Sequence, residues 1–184
     1  MNKLLAVLIL LLLQPIVSSF CLQEKPMRPV DYGSKVNFSI KNFGISVVGS
    51  FKGLEGNIIF DQNNLERSQI EASVDATTVN TGLDIRDKHL RGNDYFNVRD
   101  YQRIRFSSMS IERGAQRGNY LVKGILTIKS VSREIIIPFS VTSQEGGYLF
   151  SSSFSLNRRD YGIGGSSISL SDNLTVSLQI LTKQ

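Results

Sequence analysis

From residue 35 onward the sequence alternates apolar and polar side chains in run after run, and a chain patterned this way commits most of its length to half-buried strands. Val36, Phe38 and Ile40 alternate with Asn37, Ser39 and Lys41, and Ile70, Ala72, Val74 and Ala76 share one side of the next clear run. Further runs cover residues 104–111, 120–129, 133–142, 148–156 and 168–181, separated by links as short as Ser130-Val131-Ser132 and Glu145-Gly146-Gly147. About eight strands at hairpin spacing, with no strand–helix–strand alternation, predict an all-β antiparallel barrel or sandwich. Apart from Pro138, the strands lack the prolines and inward charges that protect a sheet edge, so a closed barrel is the simpler expectation.

One segment breaks the pattern. Residues 77–101 predict a short helix, with Thr81 as N-cap, Asp84 three residues on and Gly92 as the terminating glycine. A helix of about ten residues is marginal alone in water, so it must pack on the barrel as a plug or lid. It carries the densest set of titratable groups: Asp84, Arg86, Asp87, Lys88, His89, Arg91 and Asp94. Arg86, Asp87, His89 and Arg91 read as structural pairing that fixes the helix at the barrel mouth. Arg158, Arg159 and Asp160 either join that cluster, meet an anionic head group, or form a solvated loop. His89 is the only histidine and Cys21 the only cysteine, which excludes an internal disulfide and a two-histidine metal site. As a general base His89 lacks an orienting acid, since Asp87 two residues away on a helix points elsewhere and Asp94 lies past the glycine. No GxSxG elbow, phosphate loop or dinucleotide fingerprint is present.

The amino terminus has a different composition. Lys3, an apolar run over residues 4–13 and the small residues Val17, Ser18 and Ser19 predict a signal peptide over residues 1–19. That run is shorter than the roughly 20 residues a bilayer span needs. Residues 20–30, with Pro26 and Pro29 and no periodicity, read as a flexible tether, and the folded domain is expected over residues 31–184. The chain is therefore expected in the periplasm or outside the cell. Cys21 offers a site for lipid anchoring, although Phe20 stands where acylation favours a small residue; the alternative is a free thiol in the leader. Losing Lys3 lowers the formal net charge from +5 to +4. Scattered basic residues argue against nucleic acid and allow a weak, transient contact with an anionic membrane surface.

A barrel of eight strands can be filled by its own side chains or hold one slender ligand. Phe, Ile, Leu and Val dominate the inward positions and favour a packed core, whereas Ala72, Ala76, Ser108, Gly124 and the lack of tryptophan leave a hint of space.

Several motifs occur together in order across this domain: GNIIFD at 56–61, the T-G-x-x-x-R-D-x-H-L-R-x-x-D-Y-F pattern at 81–96, YQRIRFSS at 101–108, the G-x-L-T-I-x-x-V-x-R pattern at 124–133 and R-x-D-Y-G-I-G at 158–164. With them the sequence resembles the YceI-like proteins. Their motif positions fall on Thr81, Arg86, Asp87, His89, Leu90, Asp94 and Phe96, on Thr127 and Arg133, and on Asp160, Tyr161, Gly162 and Gly164. Asn42, where many members have histidine, and Ser130, in place of a common glycine, depart from the pattern. The resemblance implies an extended lipocalin-like, eight-stranded antiparallel barrel with one short helix after the early strands. It also implies an apolar channel for an isoprenoid, such as a polyprenyl phosphate or quinone, or a similar long-chain amphiphile, with no other cofactor and no catalytic residue. On that reading the channel is lined by Phe38, Phe60, Val74, Phe96, Ile104, Phe106, Leu126, Ile128, Ile135, Ile137, Phe139, Phe150 and Phe154. Arg86, His89, Arg158 and Tyr161 then stand at the mouth, facing the head group. The alternatives are an enzyme using His89 and a solid barrel acting as a stress-related interaction module.

Overall fold

The structure, a computed structural model, describes residues 26–183. The leader expected over residues 1–19, Cys21 and the first part of the expected tether lie outside the described residues. After a two-residue strand, β1 (Arg28–Pro29), eight long strands follow one another: β2 (Lys35–Asn42), β3 (Ile45–Ile59), β4 (Gln69–Asn80), β5 (Arg103–Arg113), β6 (Asn119–Ile128), β7 (Val131–Gln144), β8 (Gly147–Asn157) and β9 (Leu170–Lys183). Each long strand pairs antiparallel with the next, and β9 also pairs with β2. That last pairing closes the all-β barrel. One helix, α1 (Asp84–Arg91), lies between β4 and β5.

The tether differs from expectation. Met27 exchanges backbone hydrogen bonds with Ile58 at 2.8 and 2.9 Å and is 3% exposed. β1 then pairs with Lys183 and Thr182 of β9. Order therefore starts before Asp31. So short a segment shows no periodicity, and its partners, Ile58 and residues 182–183, are distant in sequence.

The wall parts along one seam. β7 and β8 pair only through Ser140–Gln144 and Gly147–Ser151, and beyond that the rest of β8 pairs with β9 alone. Pro138, which has no N–H to donate, stands just past the last rung of that ladder. The 3₁₀ turn Arg158–Tyr161 crosses the gap, where Arg133 Nε donates to the Asp160 carbonyl at 3.3 Å.

The two ends of the barrel are built differently. Away from α1, Phe60 meets Tyr120, Phe139, Tyr148 and Phe150 edge to face, with centroids 5.1–6.0 Å apart, and Met27, Ile58 and Ile111 pack around them. This aromatic plug closes that end. Near α1 a second cluster of Ala76, Val79, Phe96, Leu126, Ile128, Tyr161 and Ile163 packs the segment after the helix and the 3₁₀ turn onto one side of the opening.

The helix starts later than its sequence suggests. Its N-cap position is Leu83, which supplies no side-chain cap. Thr81 instead donates from its backbone N–H (2.8 Å) and hydroxyl (2.5 Å) to Asp87 Oδ1, while its Oγ1 and carbonyl accept from Arg86 Nε (2.7 Å) and Nη2 (2.8 Å). Arg91 ties the last turn to the carbonyls of Thr77 and Val79. Gly92 is extended, at φ −70°, rather than left-handed. A Cβ there would stand 3.1 Å from the His89 carbonyl, a tight contact that a shift of a few tenths of an ångström would relieve.

Candidate functional site

The barrel interior is a tunnel, not the packed core that composition favours. Its volume is about 640 Å³, and it runs from a mouth beside α1 toward the aromatic plug. On β9 the lining extends from Leu170 to Ile180. At about 3.3 Å per residue, and with barrel strands tilted by roughly 40°, that corresponds to an axial depth of about 25 Å.

Two glycines keep it open. Gly49 is the cross-strand partner of Phe38, and a Cβ on it would come within 2.2 Å of the Phe38 ring. A Cβ on Gly124 would lie 2.6 Å from the Phe106 ring, and the residue facing Phe106 on its other side is Ala72. Both rings therefore lie along the wall over a neighbouring glycine, which stabilises the strand pair and keeps their bulk off the axis.

Of the anticipated channel residues, Phe38, Val74, Phe96, Ile104, Phe106, Leu126, Ile128, Ile137, Phe139, Phe150 and Phe154 border the tunnel. Phe60 and Ile135 do not. Phe60, 2% exposed, is the centre of the plug, and Ile135 packs between the two clusters. Alternation fixes the face of a strand but not the depth at which its side chain sits. The largest omission is β9, whose Leu174, Val176, Leu178 and Ile180 line the tunnel and alternate cleanly with polar residues. Val36, Ile40, Phe51, Leu54, Ile58, Ile70, Leu90 and Tyr95 also line it, beyond the anticipated set.

All four anticipated mouth residues border the opening, in different states. Arg86 is half-buried, and with Nε and Nη2 bound to Thr81 its Nη1 has no partner among the described residues. His89 is exposed and sits edge-on to Tyr95, with ring centroids 5.0 Å apart. Arg158 is 2% exposed and committed to the fold: Nε donates to the Ser171 carbonyl (3.0 Å), Nη1 to those of Ile163 (2.8 Å) and Gly165 (3.0 Å), and Nη2 to Asp172 Oδ1 (2.6 Å) and the Leu170 carbonyl (3.5 Å). A guanidinium spent this way closes the loop after β8 and has no donor left for a head group. Tyr161 is also 2% exposed, and its hydroxyl and the Oδ1 of Asn42 are buried without a hydrogen-bond partner. Burial, reinforced by the neighbouring Asp160 carboxylate and opposed by Arg133, raises the Tyr161 pKa above the usual tyrosine value. Among the described residues no three His, Cys, Asp or Glu side chains converge on a common point, and no helix is long and apolar enough to cross a membrane.

The comparisons with known proteins agree on this architecture. The family profile described as a YceI-like domain matches residues 30–181. Protein YceI of Escherichia coli is 30% identical over 110 residues, 59% of this chain and 56% of its own length, and the match spans 53% to 69% of the length of the curated relatives that the chain matches first. Among solved structures, BcnA of Burkholderia cenocepacia superposes with a TM-score of 0.79 at 20% identity, over 85% of this chain and 99% of its own. A polyisoprenoid binding domain from Saccharophagus degradans superposes with a TM-score of 0.69 at 17% identity, over 85% and 97%. At such identities the two structures attest a shared fold.

Proposed function

The chain belongs to the YceI-like family, and from that premise we propose that it is an exported carrier that encloses an isoprenoid, such as a polyprenyl phosphate or quinone, or a similar long-chain amphiphile, without turning it over. The observation that carries this reading is the tunnel itself: apolar on nearly all sides, closed at one end by aromatic rings and open at the other beside Arg86 and His89. At about 30 Å³ for a water-sized unit, and with methylenes of similar size, 640 Å³ accommodates on the order of twenty carbons. Each buried methylene contributes about 0.8 kcal/mol, so twenty give about 16 kcal/mol before the roughly 4–15 kcal/mol cost of association and ordering. Favourable binding then needs no specific polar contact. Length preference comes from the plug, and head-group preference from Arg86, whose spare donor suits a phosphate or a carbonyl oxygen. The leader expected over residues 1–19 supports a location in the periplasm or outside the cell, with Cys21 as a site for acylation.

Native mass spectrometry of the gently purified protein, followed by organic extraction, tests this. We expect a long-chain amphiphile bound one to one and released by solvent. Protein that is reproducibly ligand-free, and that takes up no long-chain lipid when offered it, would refute the proposal.

A further inference from the structure

Five large apolar side chains stand in water around the tunnel mouth: Phe43 (78% exposed), Ile45 (71%), Leu83 (51%), Ile85 (81%) and Ile168 (fully exposed). They come from the β2–β3 turn, the start of α1 and the loop before β9. The Phe43 N–H donates to the Ser169 carbonyl at 2.8 Å, which joins the first and third of these segments into one surface. Leu83 and Ile85 border the tunnel as well, so the exposed rim is continuous with the apolar lining.

We infer that this rim inserts into the interface of an anionic phospholipid bilayer and sets the tunnel mouth directly against the lipid. Two observations beyond exposure support a bilayer. The first is backbone strain. Phe43 and Gly44 both have positive φ, +49° and +78°, as the tight two-residue turn between Asn42 and Ile45 requires. Asparagine or glycine suits the Phe43 position, and a bulky aromatic there is an outlier. The ring is nevertheless present and nearly bare, so it costs backbone energy and gains nothing inside the fold. Such strain marks function.

The second observation is charge. Residues 42–51 and 161–171 contain no charged side chain, as a segment entering the interface requires. Among the described residues, the charged side chains around the mouth that stay unpaired are Lys41, Arg86 and Lys88 against Asp84 and Asp94, since Asp87 is turned inward to Thr81 and Arg158 and Arg159 pair with Asp172. The balance is one positive charge, which weakly favours an anionic surface. Choosing a bilayer over a protein partner rests on the carrier reading, because a chain of some twenty carbons is transferred most readily where the mouth already touches lipid.

The test is flotation of the purified full chain with vesicles of phosphatidylglycerol and phosphatidylethanolamine, compared with phosphatidylcholine alone. The wild type is expected to float with the anionic vesicles and less with the neutral ones. Phe43→Asn combined with Ile168→Ser removes two side chains that do not line the tunnel. This double variant should keep its ligand content by native mass spectrometry, unfold at an unchanged or higher temperature, and lose at least about tenfold in vesicle partition. Wild-type protein that stays unbound at every vesicle concentration overturns the inference, as does a double variant that floats like the wild type. A concentration-dependent dimer in sedimentation that Phe43→Asn abolishes would overturn it in favour of a second copy covering the rim. Vesicle binding by a protein that never carries ligand would refute the carrier reading while leaving the docking surface standing.

Discussion

Gly49→Ala distinguishes a hollow barrel from a packed one in a single substitution. The residue is buried on β3 and needs no unusual backbone angle, so alanine fits its conformation, and the loss of glycine freedom in the unfolded chain favours the variant by about 0.4–1 kcal/mol. The new Cβ would stand 2.2 Å from the Phe38 ring, and ordinary contact begins near 3.4 Å, so the ring must retreat by about 1.2 Å (3.4 − 2.2). Its way out is into the tunnel. In a packed interior such a shift is overpacking and costs about 1–3 kcal/mol. In this barrel the ring has room, and the expected net change in urea-unfolding stability is less than about 1 kcal/mol. The cost falls on the ligand. A ring moved that far takes the space of one or two methylenes, about 0.8–1.6 kcal/mol, equivalent to a four- to fourteen-fold weaker affinity for a long-chain probe in a fluorescence displacement titration. Stability reduced by about 1–3 kcal/mol with unchanged affinity would instead indicate a packed interior around Phe38.

Three further predictions concern polar groups around the mouth. Tyr161→Phe removes a buried hydroxyl without a partner and should stabilise the fold by about 1 kcal/mol. Because burial raises the folded-state pKa of Tyr161 above its unfolded value, the folded protein holds the proton longer, and this contribution to stability is lost as pH rises past about 10; the variant should flatten that alkaline limb in pH-dependent thermal unfolding. Arg158→Met leaves the carbonyls of Ile163, Gly165 and Ser171 without donors and should cost at least about 3 kcal/mol in urea; a stable variant with altered head-group preference would return Arg158 to the binding site. Asp87→Ala removes both acceptor contacts to Thr81 and should cost about 2–3 kcal/mol, with hydrogen exchange rising first in α1; unchanged protection there would contradict the anchoring role.

Much of this molecule is legible in its residues, because a period of two states which side chains share a face. Phe38, Val74, Phe106, Phe139 and Phe154 fall on the interior side on that basis, and β9 can be read the same way from Leu174 to Ile180. Depth is not legible. Phe60 and Phe139 look alike in sequence, yet the first is the heart of the plug and the second borders the tunnel beside it. Space is not legible either, since a solid and a hollow barrel use the same amino acids, and the difference lies in rings laid over Gly49 and Gly124 across a strand pair. Arg158 eludes sequence reasoning because its partners are mostly backbone carbonyls, which leave no trace in residue type. Thr81 stands out in the sequence as a helix cap, but its hydroxyl serves Asp87 and Arg86, and the helix begins beyond it. The β1 pairing joins residues near opposite ends of the chain, and no local pattern announces it.

On the proposed function, the apolar sides of these strands enclose a passage for a foreign hydrocarbon. A crystal structure of the protein as purified from its native host addresses it most directly. One continuous ribbon of non-protein density is expected from the Arg86 side of the mouth, past Phe38 and Phe106, to the edge of the Phe150 ring. Phe38 and Phe106 turned inward and meeting the side chains of β9, with no passage between them, would contradict it.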